Sequence, residues 1–245
     1  MSLSDINWPV ILIALSGALI VLLRDWRITV PALLVNYICV AIFLAQQQFL
    51  LPDLQLGSFA ISTTVLVKLI SGVAATAILA ITALTFSREY NLEDLDEFSL
   101  AELRRAARRA QRQRAAEPLR LADYVVPFWT LALAALASVA LPRLYPIGNT
   151  NTIDFVWYWL GLIGLFTMVV AGDLLKVGLG LLLCASSVDV LYTAISSTVQ
   201  VFPLALLGLV TITLALAVAY LSGLLYGRLK TLDLNELYKS AKRIS

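Results

Sequence analysis

Seven apolar runs, most of them close to the thickness of a lipid bilayer, constrain this chain more than any other feature. They are Trp8–Leu23, Ile28–Ala45, Phe59–Phe86, Tyr124–Leu141, Phe155–Val170, Val177–Ile195 and Phe202–Tyr226. A spanning helix needs about 20 mostly apolar residues, because hydrocarbon offers no partner to a backbone N–H or C=O. The first run is somewhat short, and the third is long enough to span with tilt. Pro31 falls in the first turn of the second run, where its missing N–H costs little. Composition removes the soluble alternative: 60% of the residues are hydrophobic and 14% charged, against about 45–50% and about 25% in soluble domains. The expected fold is therefore an all-α integral membrane protein with about seven transmembrane helices, its partner in the first instance being the lipid bilayer.

The links between the runs orient the chain. With the N-terminus outside, the segments at 24–27, 87–123, 172–176 and 227–245 all face the cytoplasm, and they carry sixteen of the eighteen Lys and Arg residues. Only Arg143 lies on the other side and only Lys68 within a span. That alternation follows the positive-inside rule through every short loop, so the C-terminus is expected in the cytoplasm and the protein in the cytoplasmic (inner) membrane. No basic region precedes the first run, so no secretory signal is expected there. The longest link opens with acidic residues and continues into an Arg/Ala-rich stretch. Ser99 and Glu102 have the spacing of a capping box, which predicts a surface helix; anionic lipid, an acidic partner or plain solvent would each suit its basic face.

Several classes of chemistry lack their residues. The chain has no histidine, the commonest metal ligand and the usual base near neutral pH. Cys39 and Cys184 lie deep in separate apolar runs without CxxC spacing, which reads as buried packing. No haem, iron–sulfur or zinc ligand set is present, nor a nucleotide-binding loop or a nucleophile–base pair, so no cofactor or metal is expected and no enzyme activity of the chain alone. No basic arm with interleaved aromatics points to nucleic acid.

Charges inside spans are costly and are functional candidates by default. Lys68 is expected near the middle of the third span, too deep to snorkel. Asp189 lies about four turns into the sixth span, with Ser186 and Ser187 one turn before it and Tyr192 three residues after; these hydroxyls are expected on its side of the helix. Two readings stand side by side: Lys68 and Asp189 belong to a proton or cation path, or each makes an interhelical pair and moves no ion. Asp173 and Lys176, at the corner before the sixth span, are expected to be interfacial and are spaced for an i,i+3 ion pair. Asn36, Thr211 and Thr213 read as packing contacts, and Gly161, Gly164, Gly178 and Gly180 as sites of close helix approach.

The stretch from Gly164 through Ala171-Gly172-Asp173-Leu174-Leu175-Lys176 to Val188-Asp189-Val190-Leu191, followed by Phe202-Pro203-Leu204 and the tail Thr231-Leu232-Asp233-Leu234-Asn235-Glu236-Leu237, resembles a family of small membrane subunits. These are the C subunit of Mrp-type cation/proton antiporters and the homologous K (4L) subunit of complex I. The resemblance covers about 85 residues and implies a three-helix unit that works beside large antiporter-like membrane subunits, on a proton or sodium pathway. The K subunit's buried glutamates have no counterpart here, and Asp189 stands where the family has asparagine. The N-terminal half echoes the same helix–polar corner–helix pattern at Gly17–Arg27, which implies a degenerate parallel repeat. The expected organisation is a three-helix unit over 1–86, a charged cytoplasmic loop over 87–123, a connecting span and external loop over 124–153, and a second three-helix unit with its tail over 154–245. The functional expectation is a subunit of a complex I/Mrp-related assembly, without catalysis of its own. The alternatives are a scaffold subunit of another large membrane complex and a small-molecule transporter.

Overall fold

The computed structural model describes residues 7–23, 25–46, 53–56, 59–89, 122–196 and 201–229. Seven helices account for most of them: α1 (Trp8–Leu22), α2 (Trp26–Gln46), α3 (Thr63–Glu89), α4 (Ala122–Leu144), α5 (Asn151–Val170), α6 (Leu174–Ile195) and α7 (Val201–Leu229). Six are long and apolar enough to cross a membrane; α1, with 15 residues, is the shorter exception. The chain is an all-α membrane protein. The surface helix expected after Ser99 and the tail at 231–237 lie outside the described residues.

One element departs from the helical expectation. Asp53–Leu56 (β1) pairs antiparallel with Phe59–Ser62 (β2), Asp53 opposite Ser62 and Leu56 opposite Phe59. The third span therefore starts at Thr63 rather than Phe59. Alternating apolar and polar residues in Asp53-Leu54-Gln55-Leu56 suit a strand. α4 likewise runs one turn past the expected stop at Leu141, through Pro142 to Leu144.

α2 and α6 are the most buried helices and α4 the least. Leu33, Tyr37, Val40 and Phe43 of α2 and Leu179, Leu182, Leu183 and Val190 of α6 form the centre of one core. Outward, Phe128, Trp129, Leu136, Val169 and Phe202 are exposed, as befits a surface solvated by acyl chains. Because lipid is as apolar as leucine, close approach and polar contacts must hold such helices together. Gly164 and Gly180 let the backbones of α5 and α6 approach closely: a Cβ on Gly180 would lie 2.6 Å from the Gly164 carbonyl oxygen, and one on Gly164 would lie 2.6 Å from Cys184 Sγ. Asn36 Nδ2 donates to the Ile13 carbonyl (3.3 Å) and to Ser16 Oγ (2.9 Å), tying α2 to α1.

The first two helices of each half correspond at a spacing of 148 residues. α1 ends at Leu22 and α5 at Val170; α2 begins at Trp26 and α6 at Leu174. Both corners leave the helix through an extended residue, Leu23 or Ala171. In both, an aspartate then caps the next helix: Asp25 Oδ1 accepts from the Arg27 N–H (3.0 Å) and Asp173 Oδ1 from the Lys176 N–H (2.6 Å). The bond from Asn36 to the Ile13 carbonyl has its counterpart in Cys184 Sγ donating to the Gly161 carbonyl (3.7 Å), again 148 residues on at both ends. Across the halves, α1 packs on α5, α2 on α6 and α3 on α7.

Candidate functional site

Lys68 and Asp189, in different halves of the chain, meet. Lys68 Nζ forms an ion pair with Asp189 Oδ2, and both residues are all but inaccessible, at 2% and 3% exposure. With α3 starting at Thr63, Lys68 sits on its second turn, and Asp189 lies six residues before the end of α6. At 1.5 Å per residue the pair lies about 8–9 Å from that end of both helices. The expected mid-span depth of Lys68 is thus corrected, because the first four residues of the apolar run are spent on β2.

Tyr37 completes the site and is not singled out by sequence. Lys68 Nζ lies 5.2 Å from the centroid of its ring, within cation–π range. Its hydroxyl donates to the Leu182 carbonyl of α6 (3.2 Å). The ring fits because position 72, one turn along α3 from Lys68, is glycine: a Cβ there would lie 2.7 Å from Tyr37 Cβ and Cγ. One side chain of α2 therefore positions the lysine of α3 against the carboxylate of α6. A mid-helix glycine four residues from the buried lysine is the sequence signal for it.

The serines diverge. Ser187 does not serve the carboxylate; its Oγ donates to the Trp157 carbonyl of α5 (2.7 Å), since one residue of helix turns a side chain by about 100°. Ser186 is 1% exposed on the Asp189 side, three residues before it. Its Oγ and Asp189 Oδ1 are both buried without a hydrogen-bond partner. Tyr192 packs with Leu204 of α7.

Asp173 and Lys176 stand together at the corner before α6, where Asp173 Oδ1 accepts from the Lys176 N–H (2.6 Å). Lys176 is 4% exposed, and its Nζ donates to the carbonyls of Val21 (2.8 Å) and Leu23 (3.2 Å). It satisfies carbonyls that the end of α1 leaves free and places a cation at the negative end of that helix.

A second buried carboxylate, Asp154, also escapes the sequence reading. It stands at the first turn of α5 with 0% exposure. It accepts from the N–H groups of Ile147 (3.1 Å) and Gly148 (2.7 Å) and from Trp157 Nε1 (3.0 Å). Three donors from a loop and a helix make it an anchor for the α4–α5 link.

No known family model, curated protein or solved structure matches the chain. Among the described residues no three Cys, Asp or Glu gather as a metal site. What the Lys68–Asp189 site offers is one ammonium, one carboxylate with a spare oxygen, and a hydroxyl beside it.

Proposed function

We propose that this membrane protein is a subunit of a multisubunit assembly related to Mrp antiporters and complex I, and that its Lys68–Asp189 pair serves a proton or sodium pathway. One observation carries the reading: an ion pair buried in a membrane protein whose carboxylate keeps an unpartnered oxygen, with an unpartnered hydroxyl three residues away. Ionisable groups are kept at such depth against a substantial desolvation cost. A structural pair would do better with every lone pair satisfied, whereas a group that exchanges a proton or cation needs an acceptor left open. The resemblance of Gly164–Leu237 to the small antiporter and complex I subunits adds support. So does the correspondence of α1–α2 with α5–α6 at a spacing of 148 residues, with the pair joining the two halves.

The direct contact between the two charges favours a second reading, in which the pair only joins the halves of a scaffold subunit. Replacement of both charges separates the two. Lys68→Met/Asp189→Leu removes them together, so a scaffold would retain its place in the complex and the activity of that complex. The proposal expects assembly to survive and ion movement in membrane vesicles to be lost. Full ion movement in the folded double variant would defeat it. Co-purification from native membranes with large antiporter-like subunits is the expected company; isolation with none would remove the family assignment.

A further inference from the structure

At the end of the protein that bears the N-termini of α2 and α6, the two halves enclose a recess of ≈ 140 Å³. Trp26, Thr29 and Val30 of α2 and Leu79 of α3 line it from the first half, and Leu175 and Leu179 of α6 from the second. It is one helical turn deep: Trp26 to Val30 and Leu175 to Leu179 are four residues each, about 6 Å at 1.5 Å per residue. Leu33 and Leu182, the next turn inward on α2 and α6, are 0% exposed, so the recess ends blind.

Size, wall and charge together restrict what fits. An apolar cavity of about 150 Å³ takes one benzene ring, whereas an acyl chain laid lengthwise needs about 15 Å, half the hydrocarbon thickness. Trp26 puts an aromatic ring in the wall, which favours a second ring in stacked or edge-on contact. Asp173 and Lys176 also line the recess, but they are of opposite sign and already engaged. Lys176 Nζ holds the Val21 and Leu23 carbonyls, and Asp173 Oδ1 holds the Lys176 N–H. A balanced wall of this kind suits a neutral ligand.

Thr29 supplies the polar contact. It is 3% exposed, and its hydroxyl has no hydrogen-bond partner among the described residues. Thr76, Thr167, Thr193 and Thr211, also buried, each turn the hydroxyl back onto a carbonyl three or four residues earlier. For Thr29 the carbonyl four residues earlier is that of Asp25, which already accepts the N–H groups of Ile28 and Thr29. A buried hydroxyl left unmet is costly, and a ligand atom in the recess removes that cost.

We infer that the recess is a binding site for a small neutral aromatic molecule, one six-membered ring carrying a single hydrogen-bonding atom, as in a phenol. The ring lies among Trp26, Leu79 and Leu179, and its polar atom meets the Thr29 hydroxyl. Because the lining comes from both halves, the occupant adds contacts across their joint. The inference does not rest on the ion-pathway reading.

The test titrates para-fluorophenol and para-fluorotoluene, which differ by a hydroxyl in place of a methyl, onto the full chain in lipid nanodiscs. Binding is read by fluorine saturation-transfer NMR against empty nanodiscs. Saturable binding of the phenol is expected, roughly three-fold or more tighter than that of the toluene, since one net hydrogen bond is worth about two- to ten-fold. Thr29→Val, nearly isosteric, is expected to weaken the phenol to the level of the toluene and to leave the toluene unchanged. Leu179→Trp fills the recess and is expected to abolish both; Leu175→Phe takes its place if that variant does not fold. No saturable binding to the parent protein, equal affinity for the two probes, or binding undiminished in the folded filled variant would each overturn the site.

Discussion

Lys68 and Asp189 are 121 residues apart in sequence and in direct contact across the joint between the two halves of the chain. Both are all but inaccessible, and among the described residues each is the ion-pair partner of the other. Removing one partner strands the other, which for a buried pair costs about 3–5 kcal/mol, whereas replacing both by apolar groups of similar size is often neutral or better. Lys68→Met and Asp189→Leu are each expected to lower resistance to denaturation in detergent by that order. The double variant is expected to recover most of the loss. Additive losses in the double variant would mean that the two residues are not energetically coupled.

The close approach of α5 and α6 makes a sharper, purely steric prediction. A Cβ on Gly180 would meet the Gly164 carbonyl at 2.6 Å, and a backbone atom cannot step aside as a side chain can. Gly180→Ala is therefore expected to force the helices apart and to cost at least the 1–3 kcal/mol of ordinary overpacking, seen as loss of folded protein on size-exclusion in detergent. Gly223 is the matched control, with nothing within 4 Å of its added Cβ. Gly223→Ala is expected to be neutral or to stabilise by up to about 1 kcal/mol through helix propensity.

Much of this architecture is legible in the sequence, and the rest is hidden for identifiable reasons. The spans are legible because lipid demands long uninterrupted apolar runs, and the corner at Asp173 because a polar residue between such runs has few other uses. Lys68 and Asp189 stand out because a charge in an apolar run is conspicuous. Their contact does not stand out, since it depends on where α3 begins, and that is set by a short hairpin whose period-two pattern is brief. Tyr37 is invisible for the opposite reason: an aromatic residue in an apolar helix reads as packing, and its role follows from Gly72 on another helix. The bonds of Lys176 to the Val21 and Leu23 carbonyls are hidden too, because they depend on how the end of α1 packs against a corner 153–155 residues later.

That burial of Lys176 can be checked directly. Its Nζ holds the Val21 and Leu23 carbonyls, so Lys176→Met leaves acceptors unsatisfied at the end of α1. A lost hydrogen bond to a charged donor is worth about 1.5–3 kcal/mol, and the favourable charge at the helix C-terminus goes with it. The expected result is destabilisation of that size together with faster amide hydrogen exchange confined to the last turn of α1. Unchanged exchange at Leu22 and Leu23 would show that the lysine does not cap the helix.

Asp154 allows a test in which a single atom changes. Its Oδ1 accepts from the Gly148 N–H and from Trp157 Nε1, and its Oδ2 from the Ile147 N–H. An asparagine keeps one acceptor oxygen and replaces the other with an NH2 group, so whichever way it turns, one N–H donor faces another. Asp154→Asn therefore loses at least one charge-assisted bond and leaves a buried donor unsatisfied, a cost of about 1–3 kcal/mol. The damage is expected to be local, because α5 is also capped by Thr150, which accepts from the Ile153 N–H. Limited proteolysis is expected to cut the 145–150 link more readily in the variant, while the Lys68–Asp189 site, on other helices, keeps its behaviour. Protease resistance equal to that of the parent protein would mean that Asp154 does not anchor the link.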